Sequence, residues 1–172
     1  AVEGIFMDGN EPYISSGTWS LLGVERGAAN TSDKARELDY SNEGSVNGNF
    51  RLQKNIMGLW MIQQVRHELN DKYDFSTLAS LARINRVSDV VDVNDDRFLA
   101  PTSMIGEINA AVGKQLSVGG LAYCIFNSLA KSYAKSLTAL EELTGEKYDT
   151  LNIIGGGSKN EFLNELTAEY TG

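Results

Sequence analysis

The apolar residues of the chain change their spacing from strand-like clusters near the start to helical periods further on. In residues 11–25, β-branched and aromatic residues lie on either side of Ser16-Gly17, which predicts two short strands joined by a tight turn. Residues 26–49 are polar and rich in Asn, Ser and Gly. They predict a loop with a short helix at 32–38 and a turn at Asn47-Gly48.

A third predicted strand, at residues 50–52, is followed by two stretches with helical spacing. Residues 54–72 predict a helix because their apolar residues form one stripe along it: Ile56, Leu59, Trp60, Ile62, Val65 and Leu69. Residues 74–84 predict a second helix, with Asp74 as its N-cap.

The middle of the chain contains the longest periodic segment. Residues 87–93 predict a strand, and a short helix is expected at 102–113, capped by Thr102 just after a proline. In residues 117–144, apolar residues recur at three- and four-residue steps, which predicts a long helix. Gly145 is a natural C-terminal stop for it.

The chain ends in a predicted strand, turn and helix. Residues 148–154 predict the strand, Gly155-Gly156-Gly157 the turn, and 159–170 the helix, with Ser158 as its N-cap. Strands therefore precede and follow the helices in an order that predicts a layered α/β domain.

Composition and charge narrow the class of protein. The chain has 172 residues, of which 42% are hydrophobic and 22% charged, as expected for one globular domain. Its formal net charge of −8 disfavours a nucleic-acid-binding face. The sequence contains no long apolar run and no signal-peptide core, so we expect no membrane association and a cytoplasmic location.

Single residues of the metal-binding and nucleophilic types limit the possible chemistry. The sequence has one cysteine, Cys124, which excludes a disulfide framework within the chain. It has one histidine, His67, which excludes a two-histidine metal site and gives no basis for a His-based triad. We expect Cys124 to be a core thiol and His67 a surface residue, with no metal site. Helical spacing places Trp60 and Tyr123 in the core, and the acidic cluster Asp92, Asp95 and Asp96 is expected to be a solvated loop without calcium-site spacing.

The glycine turn at 155–157 is the strongest candidate for ligand binding. Consecutive glycines after a strand remove side chains, so a ligand can lie against the backbone beside the free N–H groups of the next helix. Such a turn suits a nucleotide, although it has neither Walker A spacing nor a Gly-x-Gly-x-x-Gly pattern, because Asn160 replaces the last glycine. A tight turn without a ligand is the alternative.

The hairpin turn is a second candidate. Ser15-Ser16-Gly17-Thr18 places hydroxyls and a glycine N–H in one turn, where they can hydrogen-bond phosphate oxygens. Taken alone, this motif also fits a plain hairpin turn. Two such turns on one α/β unit make a nucleotide site the stronger interpretation.

Together, four segments resemble the C-terminal half of the rhamnulokinase group within the FGGY carbohydrate kinase family. The segments are Ser15-Ser16-Gly17-Thr18-Trp19-Ser20-Leu21-Leu22-Gly23, Asn42-Glu43-Gly44, Leu52-Gln53-Lys54-Asn55-Ile56-Met57-Gly58-Leu59-Trp60 and Ile153-Ile154-Gly155-Gly156-Gly157-Ser158-Lys159-Asn160. The resemblance covers nearly the whole chain. It implies the actin-like ATPase (ribonuclease H-like) fold, with a mixed sheet flanked by helices.

The resemblance also implies roles for individual residues. The hairpin turn would bind the ATP phosphates, the glycine turn the adenosine, and Asn55 the sugar. The residues implied to bind ATP are Ser16, Gly17, Thr18, Gln63, Gly155, Gly156, Gly157, Ser158 and Asn160. If Asn55 and Gln63 share one helix, eight residues place them about 12 Å apart on it.

The catalytic base implied by the resemblance is absent from this sequence. In the family it is an Asp within a His-Asp-Thr motif upstream of this segment, and the chain has no such motif. Asp8 precedes the hairpin without that context and is not assigned the role. We therefore expect residues 1–172 to be a truncated C-terminal, nucleotide-binding domain, incomplete at both ends and inactive alone, whose partner is an N-terminal kinase domain.

The implied activity is transfer of the ATP γ-phosphate, with Mg²⁺, to the primary hydroxyl of a ketose, foremost L-rhamnulose. Fuculose, xylulose or a polyol is an alternative substrate. A non-catalytic actin-like binding or regulatory domain is the alternative from another class, and an oligomerisation domain built on a coiled coil at 117–144 is a third. The uncovered half of the cleft would also favour self-association of the isolated domain.

Overall fold

A computed structural model describes residues 11–172 as five strands packed against six α-helices. The strands are β1 (Tyr13–Ser16), β2 (Trp19–Arg26), β3 (Ser41–Gly44), β4 (Phe50–Met57) and β5 (Asn152–Ile154). The helices are α1 (Asp33–Glu37), α2 (Trp60–Glu68), α3 (Phe75–Ile84), α4 (Met104–Val112), α5 (Val118–Thr144) and α6 (Glu161–Thr171). Asp8 lies outside the described residues.

The strands form one mixed sheet in the order β3-β4-β2-β1-β5. β1 and β5 run parallel, and the other neighbouring pairs are antiparallel. The parallel pairing aligns the ends of β1 and β5, with Ser15 opposite Ile154. The hairpin turn after β1 and the glycine turn after β5 therefore lie at the same edge of the sheet. This arrangement confirms the predicted α/β fold.

Helix α5 forms the centre of the domain. Every residue from Gly119 to Ala130 is buried, and α3 and α6 pack against this helix. Its Tyr133 hydroxyl lies 2.7 Å from the Ser20 Oγ of β2, which fixes the helix against the sheet. The helix matches the predicted span and ends at Gly145, whose φ is 71°. Because α5 is covered within its own domain, the coiled-coil interpretation is wrong.

The helix predicted over residues 54–72 is wrong at its start. β4 continues to Met57, and α2 covers only Trp60–Glu68. Ile56 fits the helical stripe, but it also fits the alternation of β4, where pairing with Ser20 buries it completely. The predicted helical spacing between Asn55 and Gln63 is therefore wrong, since Asn55 lies on a strand.

Two further strand predictions differ from the structure. β3 was expected to be loop, because its sequence Ser-Asn-Glu-Gly is polar; it is an edge strand that pairs with β4. The strand predicted at 87–93 is wrong, since that segment has no sheet partner. It is held instead by α5, where the Ser128 Oγ accepts a hydrogen bond from the Val91 N–H.

Two of the three predicted helix caps are displaced. The Asp74 carboxylate accepts a hydrogen bond from the Thr77 N–H and caps α3, as predicted. Ser103 rather than Thr102 caps α4. Asn160 rather than Ser158 caps α6, because residues 156–159 form one turn of 3₁₀ helix before α6 begins.

Two findings concern only residues 11–172. No helix there is long and apolar enough to cross a membrane. Nor do these residues gather three or more His, Cys, Asp or Glu side chains into a group that could hold a metal ion.

Candidate nucleotide-binding cleft

A cleft of about 790 Å³ opens where the hairpin turn, the start of α2, α3 and the glycine turn meet. One wall comes from Gly17 and Thr18 of the hairpin turn and from Gln63 of α2. Two further walls come from α3 and from the glycine turn with the start of α6. Six of the nine residues predicted to bind ATP line it: Gly17, Thr18, Gln63, Gly156, Gly157 and Asn160.

Backbone hydrogen bonds hold the hairpin turn against α2. The Leu59 N–H donates to the Gly17 carbonyl oxygen at 2.8 Å, and the Trp60 N–H donates to that of Thr18 at 3.1 Å. Gly58 makes this approach possible, because a Cβ there would lie 2.5 Å from the Gly17 oxygen and 2.7 Å from the Thr18 oxygen. The turn is therefore fixed by the first N–H groups of a helix.

Thr18 and Gln63 form the polar end of the cleft. Thr18 is exposed, and its Oγ1 lies 3.4 Å from both the Oε1 and the Nε2 of Gln63. Bonds of that length are weak, so both side chains can exchange them for a ligand. A hydroxyl and an amide that stand together in this way can bind phosphate oxygens.

The glycine turn packs closely against the hairpin turn. A Cβ on Gly157 would overlap the Ser16 Oγ and lie 2.8 Å from the Ser16 Cβ. Gly155 has a φ of 86°, which glycine adopts without strain, and a Cβ there would lie 2.6 Å from the Ser16 carbonyl oxygen. Ser16 is therefore buried beneath the turn, with only 2% of its surface exposed.

Gly156 has the opposite surroundings. It is exposed, and a Cβ there would meet no atom within 4 Å. Of the three glycines, Gly156 therefore offers a bare backbone to the open cleft, where a flat ligand can lie directly on it. The other two glycines set its position.

Ser158 and Asn160 have local hydrogen bonds in the structure. The Ser158 hydroxyl donates to the Gly155 carbonyl oxygen at 2.7 Å, and the Asn160 Oδ1 accepts from the Leu163 N–H at 3.1 Å. Ser158 and Gly155 are absent from the cleft lining, whereas Asn160 contributes to it. These bonds stabilise the turn and the start of α6.

Asn55 lies outside the cleft lining. It is exposed on β4 opposite Leu21, two residues before the strand ends at Met57. Met57 in turn pairs with Trp19, directly after the hairpin turn. Asn55 therefore lies near the same end of the sheet as Thr18 but does not line the cleft with it.

The α3 wall was missed by the sequence analysis. Phe75, Ser76, Ala79, Ser80 and Arg83 line the cleft from this helix. Their spacing of three and four residues places them on one face, and small side chains on that face leave open space. That spacing was available in the sequence, but it gives no indication of which element the face would meet.

The cations that line the cleft are Lys159 and Arg83. Glu165 balances the charge of Arg83, whereas Lys159 makes no ion pair with a described residue. Glu161 is the sole carboxylate in this lining. Lys159 can therefore bind an anionic group, whereas the described residues offer Mg²⁺ no carboxylate cluster of their own.

The residues to which the sequence analysis gave no catalytic or binding role lie in the core or at the surface, as predicted. Cys124 is completely buried, and burial raises the pKa of its thiol to about 11. His67 is exposed, with 80% of its side chain accessible. Tyr123 is buried and Trp60 is partly buried against the core, with its indole N–H donating to the Phe98 carbonyl oxygen. Asp92 and Asp95 lie in a loop, and Asp96 begins a single 3₁₀ turn that follows it.

The chain is similar in sequence to proteins named rhamnulokinase. It is 45% identical over 168 residues to that of Oceanobacillus iheyensis, covering 95% of this chain and 36% of the relative. With the rhamnulokinase of Bacillus subtilis the identity is 42% over 166 residues, covering 93% of this chain and 34% of the relative. The chain thus spans about a third of the length of these curated relatives.

Solved structures share the fold. The crystal structure of xylulose kinase from Rhodospirillum rubrum matches with a TM-score of 0.71 at 13% identity, covering 98% of this chain and 34% of that one. Xylulose kinase from Bifidobacterium adolescentis matches with a TM-score of 0.66 at 19% identity, covering 96% and 33%. At these identities the likeness concerns the fold, which is the predicted actin-like ATPase type.

A sequence profile described as the C-terminal domain of the FGGY family of carbohydrate kinases matches residues 12–172. The match begins at the first strand and includes both turns and every wall of the cleft. The chain therefore belongs to the FGGY family of carbohydrate kinases.

Proposed function

We propose that this domain is the nucleotide-binding half of an ATP-dependent sugar kinase. The observation that carries the proposal is the bare backbone of Gly156, open to the cleft and facing the same space as Thr18 and Gln63. Adenosine lies against Gly156 and the α3 wall, and the phosphates extend toward Thr18 and Gln63. The volume of about 790 Å³ is in the range of small-molecule sites.

The hairpin turn holds the phosphates in position. Its Thr18 hydroxyl gives up its weak bond to Gln63 and donates to a phosphate oxygen, while the Gln63 amide offers a second donor. Because α2 and the buried Ser16 fix the turn, these donors need little rearrangement when charge develops on the transferred group. Lys159 adds a positive charge at the opposite rim.

Transfer of the γ-phosphate to a primary sugar hydroxyl needs a base that removes the hydroxyl proton. We assign this role to a carboxylate outside residues 11–172, in the part of the protein to which the relatives' additional length corresponds. Mg²⁺ would neutralise phosphate charge when bound. This domain contributes the nucleotide site, and an N-terminal domain would complete the cleft and exclude water.

The expected sugar is a ketose, with L-rhamnulose first. The support is the similarity at 45% and 42% identity to two proteins named rhamnulokinase. Asn55 is the residue we assign to the sugar, since it is exposed on β4 near the hairpin turn. A kinase for another ketose, such as xylulose or fuculose, or for a polyol is the second candidate, favoured by the fold of the xylulose kinases.

Exposed aromatic residues beside the cleft also affect how this domain associates with another domain or with itself. Trp19 and Phe75 are about half exposed, at 50% and 46%, beside the cleft. In the longer protein these surfaces would contact the other domain, and in the isolated domain they would favour self-association.

A phosphotransfer assay on the full-length protein tests the proposal. ADP release is measured with ATP, Mg²⁺ and a panel of L-rhamnulose, L-fuculose, D-xylulose and glycerol. We expect the highest kcat/KM with L-rhamnulose, and a Thr18→Val variant should raise the KM for ATP more than that for the sugar. A nucleotide-binding protein that phosphorylates none of the panel would instead support the regulatory alternative.

A further inference from the structure

One arginine of α3 and a second arginine just after that helix form ion pairs with two glutamates of α6. Arg83 makes a bidentate pair with Glu165, with N–O distances of 2.5 and 3.0 Å. Arg86 lies 3.7 Å from Glu169. Arg83 lines the cleft, whereas Arg86 follows the C-terminal end of α3 and is absent from the lining.

The Arg83 guanidinium also covers an aromatic ring. Its Cζ lies 4.8 Å from the centre of the Phe162 ring, and Phe162 is only 1% exposed. Nearly half of the Arg83 side chain, 46%, remains accessible. Two bonds to a carboxylate and contact with a ring restrict the guanidinium to one orientation, and the accessible part borders the cleft.

The neighbouring side chains leave space beside this guanidinium. Ser76, Ala79 and Ser80 are the α3 residues between Phe75 and Arg83 that line the cleft, and all three are small. Gly156, across the cleft, has no side chain. A flat group can therefore enter between α3 and the glycine turn and reach Arg83.

We propose that Arg83 forms the stacking surface for the nucleotide base and thereby favours purine over pyrimidine nucleotides. This inference rests on the proposed function and adds to it a residue that determines base selectivity. A guanidinium is planar and stacks on flat π systems, whereas the ammonium of lysine cannot. A purine has two fused rings and loses more contact area than a pyrimidine when the surface is removed.

A structural link between α3 and α6 is the competing role for Arg83. The two roles can be separated with Arg86→Ala as a control. This variant removes the ion pair with Glu169 and the guanidinium near Tyr123, but it leaves the cleft lining unchanged. Arg83→Lys keeps a positive charge near Glu165 but removes the planar group. A linking role depends on charge, and a stacking role depends on shape.

The experiment measures ADP and UDP dissociation constants by calorimetry on the full-length protein, with thermal unfolding in parallel. We expect Arg83→Ala and Arg83→Lys each to weaken ADP binding about tenfold, near the lower end of base-stacking contributions, and UDP binding by less than about threefold. Arg86→Ala should leave both constants unchanged. The ratio of UDP to ADP dissociation constants therefore falls only in the Arg83 variants.

Two results would overturn the inference in different ways. If the wild type binds ADP but the Arg83 variants keep its UDP-to-ADP ratio, Arg83 is a structural link and the proposed function stands. If the folded wild type binds no ADP, the proposed function fails, and the assignment of Arg83 fails with it.

Discussion

The two turns that bound the cleft are fixed by different forces. The hairpin turn is held by hydrogen bonds, with the N–H groups of Leu59 and Trp60 donating to its carbonyl oxygens. The glycine turn has hydrogen bonds within itself, and its position against the hairpin turn is set by shape, because Gly155 and Gly157 fit against Ser16 with no room for a Cβ. One turn thus presents polar side chains, and the other presents bare backbone.

The hairpin turn would therefore contact a ligand through side chains, whereas the glycine turn would contact it through the backbone. Thr18 is free to exchange a weak bond, so it can respond to a ligand. The glycine turn cannot shift without displacing the buried Ser16, so it provides a fixed surface. Substitutions at Gly155 and Gly157 should therefore lower stability, whereas substitutions at the polar end of the cleft should lower affinity.

The largest expected effect is from Gly157→Ala. Its Cβ would overlap Ser16, and overpacking of this kind costs about 3 kcal/mol. Urea unfolding should show the loss, and nucleotide binding should disappear because the turn is displaced. Adding Ser16→Gly to this variant removes the overlapping atoms and should recover part of both; a double variant as unstable as the single one contradicts the steric account.

Gly58→Ala tests the hydrogen-bonded turn in the same way. Its Cβ would press on the carbonyl oxygens of Gly17 and Thr18, at 2.5 and 2.7 Å. We expect about 2 kcal/mol of destabilisation and weaker nucleotide binding, because two backbone hydrogen bonds are strained together. Gly44→Ala, at a position with open space around it, is the control and should be near neutral. Equal effects in the two variants would contradict the role of Gly58.

Gln63→Ala should change affinity without changing stability. Its side chain makes only 3.4 Å contacts with Thr18 in the structure, so little folding energy depends on it. We expect ADP to bind about tenfold more weakly, as for loss of one hydrogen bond to a charged group at the lower end of its range. Gln64→Ala, the next residue on the same helix and outside the cleft lining, should bind ADP normally. The comparison is made by calorimetry.

The smallest expected effect lies away from both turns, in α5. Burial raises the pKa of the Cys124 thiol from 9.0 to about 11, so the unfolded chain loses this proton at lower pH than the folded protein does. Its contribution to stability is complete below pH 9 and falls as the pH rises toward 11. Unfolding free energies measured between pH 8 and 10 should fall less steeply in Cys124→Ala.

Local patterns in the sequence were sufficient for much of the fold. The period of α5, its stop at Gly145 and the two turns around Ser16-Gly17 and Gly155–Gly157 follow from residue type and spacing. These signals are local, because a left-handed stop or a glycine turn needs no partner to be recognised. The nine ATP-binding residues come instead from the family resemblance, and six of them line one cleft.

Features that depend on distant partners could not be predicted. Ile56 satisfies both helical and strand periods, and only pairing with β2 makes it part of a strand. The polar β3 is a strand because β4 provides its neighbour. In the sequence, Arg83 has the pattern of an ordinary surface residue of a helix. Its contacts with Glu165 and Phe162, about eighty positions later in the sequence, form only in the folded structure.

The central claim is that a nucleotide lies on the bare backbone of Gly156. Calorimetric titration of ADP into the full-length wild type, Gly156→Ala and Gly156→Arg tests it most directly. Both variants should fold, since a Cβ at this position meets no atom within 4 Å. The account predicts weaker binding with Ala and none with Arg at unchanged thermal stability; wild-type affinity in Gly156→Arg would contradict it.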